Sequence, residues 1–197
     1  MQTQTIDERD TYDLMKPDLN KSLIHNHIEP STLSPFQRIL LTTDGTLTEI
    51  LEAYLFEPIQ VVKLTEKITE RKQEILPLDL KIESELIKRK VLLRGKISRR
   101  NLVYAESILV SERLKPEFRD ELLKSQTPIG RLWLEHKIET FKEIVDSGKE
   151  PANELSNYFQ IEKGDKVLFR TYCVFSNRLP IMIITEKFPE SYYVKTF

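Results

Sequence analysis

The chain has 197 residues and a mass of 23.2 kDa, 40% of them hydrophobic, which suits one domain with a sizeable core and argues against wholesale disorder. Thirty basic residues against thirty-one acidic ones leave a net charge of −1, unlike a general nucleic-acid binder. A single cysteine, Cys173, excludes an internal disulfide and a four-cysteine zinc site, and no apolar run approaches the roughly 18 residues of a membrane span.

Residues 1–33 are polar, carry Pro17 and Pro30, and are expected to form a loosely packed arm before a domain at 34–197. They lack a basic-then-apolar leader, so the expected address is the cytoplasm. Ser34-Pro35 predicts a cap with proline in the first turn of a short helix over Phe36–Leu41. Thr46 and Glu49 stand three apart, as a capping box requires, and open a predicted helix over 47–56 that Pro58 stops. The period then shifts to two. Ile59–Leu64, Leu86–Leu93 and Leu102–Val110 read as strands, the last two joined by a turn at Gly95–Arg100. Pro116–Lys124 reads as a helix, and Pro128-Ile129-Gly130-Arg131 opens another through Leu134. Residues 136–146 fit both a helix (Ile138, Phe141, Val145) and a strand (Ile138, Thr140, Lys142). Val167–Phe175 and Ile181–Lys187 predict a final hairpin turning at Ser176-Asn177. The class expected is α+β, one antiparallel sheet with helices to one side.

Five glycines, none clustered as GxGxxG or GxxxxGKS, leave no phosphate cradle of those kinds. His25 and His27 would share a face of a strand, but no third ligand stands at a recognisable spacing, so no metal is expected; His136 reads as a surface or capping residue. No GxSxG elbow supports a serine triad. Cys173, between Tyr172 and Val174 in a predicted strand, is expected to be buried and inert. The segment Lys81–Arg100 holds eight basic residues against Glu83 and Glu85, a local charge of about +6. Strand alternation puts Lys88 and Lys90 on one face and Arg89 on the other, with Ile87, Val91 and Leu93. An arginine facing inward needs a partner, and a ligand carboxylate would supply a bidentate one. Glu186 shares parity with Met182 and Ile184 and also points inward. Two readings follow: a structural Arg89–Glu186 ion pair, or a pocket with a cation at one end and a carboxylate at the other, suited to a small anionic hydroxylated ring.

Four segments in this order carry a resemblance: Leu41-Thr42-Thr43-Asp44-Gly45-Thr46-Leu47-Thr48-Glu49; Arg89-Lys90-Val91-Leu92-Leu93 with Val103-Tyr104-Ala105-Glu106-Ser107; Thr127-Pro128-Ile129-Gly130-Arg131; and Leu179-Pro180-Ile181-Met182-Ile183-Ile184-Thr185-Glu186. Together they resemble the chorismate lyase family and its sheet-mates, the ligand-binding UTRA domains. The resemblance covers residues 36–190 and, in its Tyr-Ala-Glu wording, is similar to the cyanobacterial and archaeal branch. It implies a six-stranded antiparallel sheet and a buried pocket that converts chorismate to 4-hydroxybenzoate and pyruvate without metal or cofactor. The protein would be a cytoplasmic monomer supplying quinone synthesis, plastoquinone among its outlets, with no nucleic-acid partner. Carried over residue by residue, Arg89 and the backbone N–H near Ile129 and Gly130 would hold the ring carboxylate. Glu186 would meet the 4-hydroxyl, Leu47 would cover the pocket, and Arg131 would serve the ligand or the fold. The bacterial lyases carry Gly-Arg where this chain has Glu106-Ser107, with Arg170 as a possible replacement. A non-catalytic UTRA-like sensor of a small anion is the alternative, although such sensors follow a DNA-binding domain for which 33 polar residues are too few. A lyase giving 3-hydroxybenzoate and an RNA-binding basic hairpin are further alternatives.

Overall fold

The computed structural model describes residues 28–70, 78 and 84–194. His25, His27, Lys81 and Glu83 lie outside the described residues, as does most of the expected arm. The part of the arm that is described, 28–33, packs inward: Ile28, Pro30 and Leu33 are buried.

Six strands form one sheet: β1 (Ile59–Glu70), β2 (Glu85–Gly95), β3 (Asn101–Val110), β4 (Phe141–Pro151), β5 (Lys166–Ser176) and β6 (Leu179–Pro189). All neighbours pair antiparallel, in the order β1-β2-β3-β6-β5-β4. Two sequential units, β1-β2-β3 and β4-β5-β6, thus meet along β3 and β6. The expected strands are all present. The first is longer than its apolar stretch, because Glu66 to Glu70 continue the pairing with β2 through polar residues.

Among the described residues five α-helices accompany the sheet: α1 (Pro35–Thr42), α2 (Leu47–Leu55), α3 (Pro116–Lys124), α4 (Ile129–Glu135) and the single turn α5 (Ser156–Phe159). At the start of α1 the Ser34 hydroxyl accepts from Gln37 N–H at 3.1 Å, and the Gln37 side chain accepts from Ser34 N–H at 2.7 Å. This is a complete capping box. The box expected at Thr46 and Glu49 does not form. Thr46 makes no side-chain capping bond, its methyl occupies the space over Gly130, and Glu49 is exposed. Residues 141–151 are a strand, not the alternative helix.

Strand alternation sorts the core. On one face, α1 and α2 set Leu40, Leu41, Leu47 and Leu51 against Val61, Leu93, Val103 and Phe188. On the same face, α3 and α4 set Phe118, Leu122, Leu132 and Trp133 against Ile87, Leu109, Met182 and Ile184. The other face is covered in part by α5, whose Phe159 meets Leu92, Tyr104 and Val167. Between the two cores of the first face the sheet carries charged residues, and there the candidate site lies.

Candidate active site

Register places the site residues in two adjacent rows across the sheet. One row runs Glu66–Arg89–Ser107–Ile184–Tyr172 through β1, β2, β3, β6 and β5; the next runs Val91–Ala105–Glu186–Arg170. Arg89 and Glu186 therefore share a face with two strand spacings, about 10 Å, between their backbones. They do not pair with each other. Arg89 Nε donates to Glu66 Oε2 at 2.8 Å, and Glu186 Oε2 accepts from Arg170 Nε at 2.7 Å. Of the two readings, the Arg89–Glu186 ion pair does not form; two separate pairs stand in its place, with a cavity between them.

That cavity is floored by Val91, Ala105, Ser107 and Ile184 and roofed by the first residues of α2 and α4, with Arg89 and Glu186 both lining it. Its roof residues include Leu47, Ile129 and Gly130. The close roof has a local cause: a side chain on Gly130 would come within 2.4 Å of the Thr46 methyl, so glycine lets the two helix starts touch. In α4 the first intrahelical bonds come from the N–H groups of Arg131 and Leu132, which return to Pro128 at 2.9 and 3.1 Å. The N–H groups of Ile129 and Gly130 precede them and are the orphan donors of a helix start.

The two ends of the cavity differ. Arg89 is 5% exposed, and burial pulls its guanidinium below the usual arginine range while Glu66 opposes the fall. Only Nε is spent on protein among the described residues, so the two terminal nitrogens remain as a fork. At the far end, Glu186 accepts from Arg170 and, through Oε1, from the Tyr172 hydroxyl at 3.0 Å. Burial, then the Glu186 charge, pushes the Tyr172 phenol far above its ordinary value, so it stays a donor. Arg170 also donates to the Thr43 carbonyl at 2.8 Å. It thereby ties the turn before α2 to the sheet.

Arg131 and Arg170 are not among the cavity's lining residues. Arg131 Nη2 reaches both oxygens of Glu52, at 3.0 and 2.9 Å, locking α4 to α2. Arg170 gives Nε to Glu186 and Nη1 to Thr43, while its buried Nη2 has no hydrogen-bond partner among the described residues. Ser107 sits beside Arg89 on the floor. Glu106 points the other way, to Lys90 at 3.3 Å.

Sequence reasoning missed Lys142. It projects from β4 into the cavity, donates to the Gly45 carbonyl at 2.7 Å, and has its ammonium 5.4 Å from the Trp133 ring and 5.5 Å from the Tyr172 ring. Burial pulls its pKa down to about 8, with Glu186 opposing, Arg170 assisting and Asp44 opposing. The signal was the alternation Lys142, Ile144, which the helical reading of the same residues obscured.

His136 ends α4 beside Glu121 at 2.7 Å, away from the cavity. Cys173 is buried on the other face, its pKa raised by burial to about 11, and is inert. Among the described residues no group of His, Cys, Asp and Glu could hold a metal, and no helix is long and apolar enough to cross a membrane.

A family model described as Chorismate pyruvate-lyase Rv2949c-like matches residues 41–196. The chain belongs to this family. Among curated relatives, the chorismate pyruvate-lyase of Mycobacterium leprae is 32% identical over 81% of this chain and 76% of its own length. That of Mycobacterium tuberculosis is 28% identical over 79% and 80%. Among solved structures, the effector domain of PhnF from Mycobacterium smegmatis matches 76% of this chain and 91% of its own, with TM-score 0.58 and 11% identity. The ligand-binding domain of a GntR-family regulator from Bordetella bronchiseptica matches with TM-score 0.53 and 14% identity. These neighbours establish a shared sheet between family members and UTRA-like domains. The fold is therefore common to lyases and sensors, and function must be argued from the cavity.

Proposed function

We propose that this protein is a chorismate pyruvate-lyase that releases 4-hydroxybenzoate and pyruvate without metal or cofactor. Family membership supports the activity, and one observation carries the site. A buried guanidinium fork and a buried, clamped carboxylate stand at opposite ends of one apolar-floored cavity. In this reading the Arg89 fork and the Ile129 N–H bind the ring carboxylate. Glu186, held by Arg170 and Tyr172, accepts a hydrogen bond from the 4-hydroxyl and fixes the C4–H bond. Leu47 closes the roof and excludes water.

The chemistry asks little more. The C3–O bond to the enolpyruvyl group breaks, and the hydrogen on C4 ends on that group's methylene carbon, giving pyruvate. The ring becomes aromatic, so the reaction runs downhill, and the protein contributes orientation and charge stabilisation. Use of the product for quinone synthesis, in the cytoplasm and by a monomer, is part of this proposal and rests on the resemblance alone.

The test is incubation of purified protein with chorismate and excess EDTA, following both products by chromatography. Equal amounts of 4-hydroxybenzoate and pyruvate are expected. Tight binding of 4-hydroxybenzoate with no pyruvate formed would overturn the lyase in favour of a sensor. Release of 3-hydroxybenzoate would overturn the assignment of Glu186 to the 4-hydroxyl.

A further inference from the structure

Three charged side chains line the cavity: Arg89, Glu186 and Lys142. Arg89 has Glu66 and Glu186 has Arg170. Lys142 has no carboxylate within 4.0 Å among the described residues, and its hydrogen bond goes to a neutral carbonyl. Burying a cation whose nearest carboxylates, Glu186 and Asp44, act only from beyond ion-pair distance is costly, and that cost falls when a ligand brings an anion. A second orphan stands beside it. Trp133 lines the same cavity and is 6% exposed, yet its indole N–H has no partner among the described residues. One side of the cavity therefore holds an ammonium with no carboxylate in ion-pair range and an indole N–H with no hydrogen-bond partner among the described residues.

That side's place in the sheet says which part of a ligand would reach it. Lys142 springs from β4, four strand spacings from the β2 backbone that carries Arg89, about 19 Å by ordinary strand separation. It lies instead at the Glu186 end, where Tyr172 donates to Glu186 at 3.0 Å and has the ammonium 5.5 Å from its ring centre.

We propose that Lys142, with the Trp133 N–H as companion donor, is the counter-ion for a second carboxylate on the ligand, so that the pocket reads a dicarboxylate. This rests on the lyase reading. With the ring carboxylate on Arg89 and the 4-hydroxyl on Glu186, the C3 substituent, next to that hydroxyl, leaves the ring at the Glu186 end, where Lys142 stands. Its carboxylate is then the one Lys142 meets. The product keeps the ring carboxylate and loses that substituent. Lys142 therefore favours substrate over product.

The experiment compares the KM for chorismate with the inhibition constant of 4-hydroxybenzoate in wild type, Lys142→Met and Lys142→Arg. Lys142→Met is expected to raise KM ~10–100-fold, the worth of a charge-assisted hydrogen bond, with the inhibition constant unchanged. Lys142→Arg is expected to keep KM within a few-fold. The charged or titratable groups facing the ammonium are Asp44 from the turn before α2, Arg170 and Tyr172 from β5, and Glu186 from β6. Since Lys142 loses its proton at about 8, wild-type kcat/KM should fall above that point until it reaches the Lys142→Met level, and Lys142→Arg should lack the fall. An unchanged KM in Lys142→Met, or an equal loss for both ligands, overturns the subsite and leaves the lyase reading standing. If wild type releases no pyruvate, the lyase reading fails by itself. The subsite is then read by Trp133 fluorescence: chorismate preferred over 4-hydroxybenzoate in wild type but not in Lys142→Met supports it, and no preference in wild type overturns it.

Discussion

Glu66 reaches Arg89 because β1 carries one extra residue. The register passes from Lys63–Val91 to Thr65–Lys90, skipping Leu64. A bulge of this kind reverses the alternation beyond it. Glu66 thus joins Val61 and Lys63 on the cavity face, though simple parity would have turned it outward. It accepts from Arg89 at 2.8 Å and from Lys63 at 3.1 Å. Lys63 also donates to the last carbonyls of α3, at Leu122 and Leu123, so the bulge joins the anchor arginine to a helix end.

Arg89→Ala should fold, because Lys63 still partners Glu66 and a cavity already adjoins the site. It should lower kcat/KM for chorismate by ~100-fold or more, the worth of two charge-assisted bonds. Arg89→Lys should rescue little, since an ammonium lacks the fork. Steady-state kinetics beside a circular dichroism melt check both points. A folded Arg89→Ala variant with wild-type turnover would remove Arg89 from the site.

Arg170 holds Glu186 at 2.7 Å. Arg170 is 1% exposed and Glu186 6%. Removing one partner strands a buried charge, so Arg170→Met should cost about 3–5 kcal/mol in urea denaturation. Pairing it with Glu186→Leu should recover much of that loss and leave the protein inactive. Glu186→Gln keeps the shape and separates the roles: turnover is expected to fall while 4-hydroxybenzoate still binds through Arg89. An Arg170→Met variant as stable as wild type would show that the pair contributes nothing.

The roof can be tested by one methyl group. In Gly130→Ala the new carbon would lie 2.4 Å from the Thr46 methyl, so α2 and α4 must part. KM for chorismate should rise several-fold with little change in melting temperature, because the disturbed contact is confined to the roof, between Gly130 and Thr46. Thr46→Ser deletes the clashing methyl, and the double variant Thr46→Ser/Gly130→Ala should recover wild-type KM. Failure of that rescue would mean that Gly130 acts through its backbone.

The hairpin residues of this site were legible because regular strands keep parity: Arg89 from β2 and Glu186 from β6 both face the cavity as alternation requires. What alternation could not give was partnership. The Glu66 contact depends on a bulge, and the Arg170 contact on a register between strands that sequence leaves unspecified. Lys142 was hidden for another reason. On the edge strand β4 the apolar residues Phe141 and Val145 are 65% and 44% exposed, while Lys142 turns inward. Hydrophobic patterning assumes the reverse, so the stretch read as ambiguous. The Thr46–Glu49 box failed because Thr46 is used at the roof, where contact with Gly130 takes precedence over capping.

Lys142 should also leave a mark on folding that needs no substrate. Its ammonium is charged in both folded and unfolded chains at neutral pH, and the folded state carries the cost of burying it. As pH rises past about 8, the folded chain loses that proton while the unfolded chain holds it toward the ordinary 10.5. The unfolded state then binds more protons, so this residue's contribution to stability increases with pH, by at most about 1.4 kcal/mol per pH unit between about 8 and 10. Tyr172 works in the opposite sense at still higher pH, because burial keeps its phenol protonated when the unfolded phenol has ionised. Subtraction isolates the lysine. Urea unfolding of wild type and Lys142→Met from pH 7 to 10 should give a stability difference that moves steadily in favour of wild type above about 8. A difference flat across that range would mean that Lys142 is solvated in the free protein. The uncompensated cation would then not exist, and the subsite argued from it would fall as well.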